Sequence, residues 1–85
     1  MPDYLLNFEL SDQKDEIFIN ADEKGLQFLV DELNKLLSQT KEGNFDHAHL
    51  MTEEWGGYEL SSDSQGGEII NHVKIYCWKG NKPQT

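Results

Sequence analysis

The chain of 85 residues contains no arginine, and its seven basic residues are all lysines. Sixteen acidic residues outnumber them and give a formal net charge of -9. A surface of this charge repels the phosphate backbone of nucleic acids, so nucleic-acid binding is disfavoured. The same charge attracts basic proteins and accelerates their encounter, although an acidic surface can also serve solubility alone.

Cysteine and long apolar runs are equally scarce. The single cysteine, Cys77, excludes an internal disulfide and a zinc site built from several cysteines. It lies in the apolar alternation of NHVKIYCW, which predicts a small buried side chain. The first ten residues, MPDYLLNFEL, lack the basic region and apolar core of a signal peptide, and no later segment approaches a membrane span. These absences predict a cytoplasmic protein without a membrane partner.

The length predicts a single domain over residues 1–85 with one thin core. A chain of this size buries only about 60–65% of the surface that its unfolded form exposes, which leaves little room for an enclosed active site. The sequence also lacks a G-x-S-x-G elbow and a P-loop, and its carboxylates cluster in a solvated loop where nothing raises their pKa. We therefore predict a protein that is not an enzyme, needs no cofactor and functions through its surface.

The hydrophobic pattern predicts one hairpin, one helix and further strands. YLLNFEL and EIFIN alternate as a β-hairpin at about 4–20. A leucine-rich run with helical spacing predicts a helix at about 22–40, with Asn20 or Asp22 as its N-cap. The remaining expected elements are strands at about 45–51, 58–61 and 68–78 and a frayed tail at 79–85.

These elements predict an α+β fold with two layers. A mostly antiparallel sheet of four to five strands would carry the long helix on one face. Alternation sends His47 and His49 to the opposite, open face, and we expect the Trp55 loop at its edge. This face is either an aromatic contact surface or a second small core covered by a loop. The other side chains expected on it are Phe18, Ile70, His72, Lys74, Tyr76 and Trp78.

The histidines also suggest a second class of function. His47 and His49 share one side of a strand, and His72 could join them from a neighbouring strand as a third nitrogen ligand for zinc. The alternative prediction is therefore a small metal- or ligand-binding domain. The spacing does not locate the carboxylates that support metal-bound histidines.

Two segments carry a resemblance to a known family. FDHAHLMTEEWGGYELS, followed closely by INHVKIYCW, resembles immunity protein family 32 of bacterial polymorphic toxin systems, which are small α+β proteins encoded beside secreted toxins. The resemblance covers residues 45–78, and the first half of the chain shares only the order strand, strand, helix. The matching motif positions are Trp55, Gly56, Gly57, Glu59 and Leu60.

The resemblance implies a cytosolic antidote that binds and blocks a cognate toxin. Because the chain is acidic, the toxin is expected to have a basic surface, such as the active site of a nuclease. Trp55 is either an interface anchor or a cap on the sheet, and Gly56 and Gly57 are expected to form a tight turn. The oligomeric state stays open. The candidate partner-binding residues are Glu53, Glu54, Trp55, Tyr58, Glu59, Asp63, Tyr76 and Trp78.

Overall fold

The structure is a computed structural model that describes residues 3–41 and 45–80. The predicted α+β class is confirmed, with antiparallel strands and a helix packed against them. Most of the predicted frayed tail, residues 79–85, lies outside the described residues. In chain order the elements are β1 (Leu6–Leu10), β2 (Ile17–Ala21), α1 (Glu23–Thr40), β3 (Phe45–Met51), a 3-10 turn (Glu53–Trp55), β4 (Glu68–Ile69) and β5 (His72–Trp78).

The strands form two sheets instead of the single sheet of four to five strands that the sequence predicts. One sheet has the order β2-β1-β4, and the other pairs β3 with β5, both antiparallel. The predicted strand at 58–61 is reduced to an isolated bridge between Leu60 and Thr52. Ser61 then donates its backbone N–H to the carbonyl of Leu6 at 2.8 Å, so this segment links the two sheets.

The predicted long strand at 68–78 is interrupted where the chain changes partners. The Ile70 N–H donates to the carbonyl of Phe8 in the first sheet at 2.8 Å, and the next carbonyl, of Asn71, accepts from Thr52 beside the second sheet at 3.0 Å. The interruption breaks the alternation of side chains. Ile70, predicted to face outward, therefore packs against the core. Cys77, predicted to be buried, is a half-buried free thiol in β5.

Of the two predicted N-cap residues, Asp22 is the one at which helix α1 begins. The Asp22 carboxylate accepts a hydrogen bond from the Gly25 N–H at 2.7 Å, whereas Asn20 belongs to β2. Gly25 is buried against the carbonyl of Leu5, and a methyl group at this position would overlap that oxygen. The cap and the glycine together fix the start of the helix on the end of β1.

The core lies between α1 and the two sheets. Its buried side chains are those of Leu6, Phe8, Leu29, Leu50 and Leu60. Ala21, Val73 and Ile75 add partly buried surface around it. The helix contributes only part of its apolar surface to this core, because Leu26, Val30, Leu33 and Leu37 remain 42–53% exposed. No helix in the described part of the chain combines the length and apolar character needed to cross a membrane.

Candidate protein-binding surface

The face of β3 and β5 that points away from the helix carries the candidate site. The register places His47 opposite Tyr76 and His49 opposite Lys74. Because side chains alternate along a strand, their neighbours Leu50, Val73 and Ile75 point into the core. The helix-free face is therefore built from residues that the core does not use.

Six rings on this face form a continuous line, here called the ring row. The ring centroids of His47 and His49 are 4.8 Å apart, and those of His49 and His72 are 5.1 Å apart. Aromatic rings extend the line at both ends over centroid distances of 5.6 to 6.3 Å. In spatial order the ring row consists of Trp78, Tyr76, His47, His49, His72 and Trp55.

The aromatic members of the ring row are exposed. Trp55 is 59% exposed, Tyr76 48% and Trp78 43%. Trp55 does not fold into the core, since its ring lies beside His72 at 6.3 Å between centroids. The face is thus an open surface and not a second core covered by a loop. Phe18, expected on the same face, belongs to β2 in the other sheet.

The two glycines after Trp55 hold it in place for different reasons. Gly56 has a φ of 86°, a left-handed conformation that ends the 3-10 turn and favours glycine. Gly57 approaches Met51 so closely that a Cβ atom would lie 2.5 Å from the Met51 Cβ. The expected tight turn thus needs a positive φ at Gly56 and a close backbone approach at Gly57.

Two positions of the family-like motif, Glu59 and Leu60, have structural roles. The Glu59 carboxylate accepts hydrogen bonds from the N–H groups of Met51 at 3.1 Å and Tyr58 at 3.3 Å. Leu60 is buried in the core. Glu59 therefore stabilises the turn through hydrogen bonds. This structural role distinguishes it from the exposed candidates for partner contact.

The remaining candidates for partner contact lie close to Trp55 in the sequence. They are Glu53, Glu54, Tyr58 and Asp63. Glu53 and Glu54 belong to the same 3-10 turn as Trp55 and are exposed. The Ser62 hydroxyl donates to Glu54 at 2.6 Å, which holds the pKa of Glu54 below its ordinary value of 4.5 and keeps the carboxylate charged. Tyr58 is 73% exposed, and Asp63 is also exposed.

The middle of the ring row is not acidic. Partial loss of hydration, followed by electrostatic interactions with His47 and Lys74, lowers the pKa of His49 from its ordinary value of 6.5. The Lys74 ammonium lies 5.1 Å from the centre of the Tyr76 ring, within the range of a cation–π contact. An aromatic centre that includes the Lys74 cation thus stands beside an acidic turn.

The histidines do not converge on a metal site. His49 Nδ1 lies 2.8 Å from His72 Nε2, so these nitrogens bind each other, and His47 meets His49 edge to face. Across residues 3–41 and 45–80, no group of three histidine, cysteine or acidic side chains is placed to hold a metal ion. The three-histidine ligand set that the sequence suggested is not assembled in this structure.

A buried polar cluster lies on the other sheet and was not predicted. Glu9 is 1% exposed beneath the loop at 61–67. Its carboxylate accepts hydrogen bonds from the N–H groups of Gln65 and Gly67, both at 2.8 Å, and from the side chains of Ser64 and Asn20. Burial raises the pKa of Glu9, but these four hydrogen bonds outweigh it and hold the pKa below 4.5.

A pocket of about 300 Å³ opens above this cluster. Because the Glu9 oxygens already accept four hydrogen bonds, they are committed to holding the loop. The cluster has no distinct sequence signal, since Asn7 and Glu9 occupy the polar positions of an ordinary amphipathic strand. The residues that line the pocket are Glu9, Phe18, Asn20, Gln65, Gly66 and Gly67.

Comparison with known proteins adds one finding to this geometry. A family model described as Immunity protein 32 matches residues 16–73, which is more than half of the chain. The match includes β2 and the whole of α1, beyond the segment at 45–78 that carried the resemblance, and it ends at Val73 within β5. No curated protein and no solved structure matches the chain.

Proposed function

Because this chain belongs to the immunity protein 32 family, we propose that it binds a cognate bacterial toxin domain and neutralises it by stoichiometric protein–protein inhibition. Such inhibition works by occupying a surface of the toxin, so no catalytic residue and no cofactor is assigned. The toxin must be met inside the cell that makes the antidote, and we therefore propose a cytoplasmic location. Neither a nucleic acid nor a membrane is proposed as a partner.

The exposed ring row is the observation that carries this proposal. Tryptophan and tyrosine are enriched among the residues that dominate binding energy, because each buries a large area while losing little rotamer freedom. Trp55, Tyr76 and Trp78 expose 43–59% of their surface. Neighbouring rings already hold them in one line, so binding orders few additional side chains.

We propose that the toxin contacts the ring row at its centre and the acidic turn at its rim. Glu53 and Glu54 directly precede Trp55 in the same 3-10 turn, and Asp63 adds charge in the loop that follows. Such a surface fits a partner with an apolar patch bordered by lysine or arginine side chains. The net charge of -9 would speed the encounter with a basic toxin. The active site of a nuclease has this character because it must hold phosphates, and we propose a nuclease as the toxin class.

The direct test uses the protein encoded beside this chain. This neighbouring protein is expressed from an inducible promoter, with and without the full chain. Cell growth and co-purification of the two proteins are then measured. We expect the neighbour to stop growth, and the chain to restore growth and co-purify at a fixed stoichiometry. A toxic neighbour that is neither bound nor neutralised would contradict the proposed pairing.

Two variants connect this test to the ring row. The double variant Trp55→Ala/Tyr76→Ala removes two exposed rings, and we expect it to lose rescue. Phe18→Ala removes an exposed ring from the other sheet and should rescue like the unchanged chain. Equal rescue by both variants would exclude the ring row as the inhibitory surface. Thermal unfolding of both variants verifies that each is folded.

A further inference from the structure

We propose that a second copy of this chain packs on the exposed side of helix α1, forming a twofold antiparallel helix pair. The contact surface is the helix stripe, defined as Leu26, Val30, Leu33 and Leu37, whose side chains are 42–53% exposed. This surface differs from the ring row, which lies on the helix-free face of β3 and β5. The inference is therefore independent of the proposed toxin contact.

The spacing of the helix stripe is the first argument. Its residues are separated by four, three and four positions, which places them within one narrow arc of the helix surface. Repeated steps of three and four are the pattern with which two helices pack side by side along a seam. The residues that fill the core from this helix, including Leu29 and Leu36, occupy a neighbouring arc. The helix thus has one apolar surface for its own core and a second for another helix.

Charge complementarity selects a second copy in the antiparallel direction. Glu23 and Lys41 lie about five helical turns apart, so they fall on the same line beside the helix stripe. In an antiparallel pair with a twofold axis between Val30 and Leu33, Leu26 meets Leu37 of the second copy. The same symmetry brings Glu23 of each copy close to Lys41 of the other. A parallel pair would instead place each charge level with the same charge of the other copy, about five turns away from the opposite charge.

The polar residues beside the helix stripe fit this contact as well. Gln27 and Asn34 lie on its solvent side, are exposed and carry no charge. The repulsion between two chains of charge -9 is thus kept away from the seam itself. A contact of about three helical turns is small, so we expect a weak dimer with a dissociation constant on the order of 100 µM. Added salt screens the overall repulsion and should strengthen it.

Sedimentation equilibrium of the full chain at rising concentration, in low and high salt, tests the proposal. We expect a monomer–dimer equilibrium that salt shifts towards the dimer. Leu33→Gln should weaken the dimer about tenfold or more, because this residue lies at the twofold axis and is lost from both copies. The matched control is Tyr76→Gln, an exposed residue of the ring row, which should leave dimerisation unchanged. A chain that stays monomeric up to about millimolar concentration would overturn the proposal.

A charge exchange tests the antiparallel direction. Glu23→Lys should weaken the dimer by placing two lysines together, and the double variant Glu23→Lys/Lys41→Glu should restore it. Failure of the double variant to recover dimerisation, with both variants folded by circular dichroism, would contradict the antiparallel register. Toxin binding by Leu33→Gln separates the two surfaces. Retained toxin binding supports the assignment of the helix stripe to a second copy, and lost binding assigns the stripe to the toxin and overturns it.

Discussion

His49 Nδ1 and His72 Nε2 lie 2.8 Å apart, so the N–H of one imidazole ring donates a hydrogen bond to the bare nitrogen of the other. A doubly protonated ring has no acceptor nitrogen, and this contact therefore requires at least one neutral ring. The two residues join β3 to the start of β5 at the centre of the ring row. The protonation of His49 thus connects the geometry of the proposed contact surface to pH.

Stability should fall as the solution becomes mildly acidic. The pKa of His49 is lowered in the folded chain from its ordinary value of 6.5. As pH falls below about 6.5, the unfolded chain takes up this proton before the folded chain does, so the free energy of unfolding decreases. Denaturant unfolding between about pH 7.5 and pH 5 measures the effect.

The variant His49→Gln isolates this contribution. It cannot titrate in this range, so its free energy of unfolding should change less with pH than that of the unchanged chain. The lowered pKa values of Glu9, Asp22 and Glu54 affect stability only at more acidic pH, near and below their ordinary values of 4.5 or less. A stability that rises on acidification through this window would contradict the assignment.

Glu9→Gln should destabilise the fold. The carboxylate accepts four hydrogen bonds, two of them from backbone N–H groups of the loop at 61–67. A glutamine side chain offers one carbonyl oxygen, and its amide group would point a donor at donors. We expect a clear loss of thermal stability. The exposed Glu68→Gln, which removes the same charge from β4, should change the melting temperature little.

Gly25→Ala should also destabilise the fold, although alanine is the better helix former. In an exposed helix this change adds about 1 kcal/mol of stability. Here the new methyl group would overlap the carbonyl oxygen of Leu5, so the helix must shift away from β1. Ser38→Ala, at an exposed position of the same helix, is the control and should be neutral or slightly stabilising. Thermal unfolding of both variants shows whether each substitution lowers or raises the stability of the fold.

Salt should slow the association with the toxin. The acidic chain attracts a basic partner through long-range charge, and salt shortens the range of this attraction to about 10 Å at 0.1 M. We expect the association rate constant to fall steeply with ionic strength while the dissociation rate changes much less. Stopped-flow mixing at several salt concentrations measures both. An association rate that does not depend on salt would contradict electrostatic steering.

The sequence predicts the ring row better than it predicts the sheets. Alternation along a strand determines which side chains leave the core, and His47, His49, Tyr76 and Trp78 lie on the helix-free face for this reason. The partner change at Ile70 depends on hydrogen bonds to Phe8 of β1 and to Thr52 just after β3, which alternation does not encode.

The helix shows a similar limit. Its apolar spacing predicts a wide stripe, but the width of a stripe does not reveal how much of it the sheet covers. The structure buries Leu29 and Leu36 and leaves Leu26 and Leu37 about half exposed. Burial of Glu9 is equally hidden, since the loop that covers it comes from residues more than fifty positions away. Long-range contacts of this kind leave no local pattern.

The affinity of Trp55→Ala for the toxin tests the proposed ring-row contact most directly. Isothermal titration of the purified toxin compares this variant with the unchanged chain and with Phe18→Ala, whose exposed ring lies on the other sheet. If Trp55 anchors the interface, its loss should weaken binding by about 2 kcal/mol or more, close to thirtyfold, while the melting temperature stays the same. Unchanged affinity for Trp55→Ala, together with weaker binding by Phe18→Ala, would contradict the ring row as the toxin-binding surface.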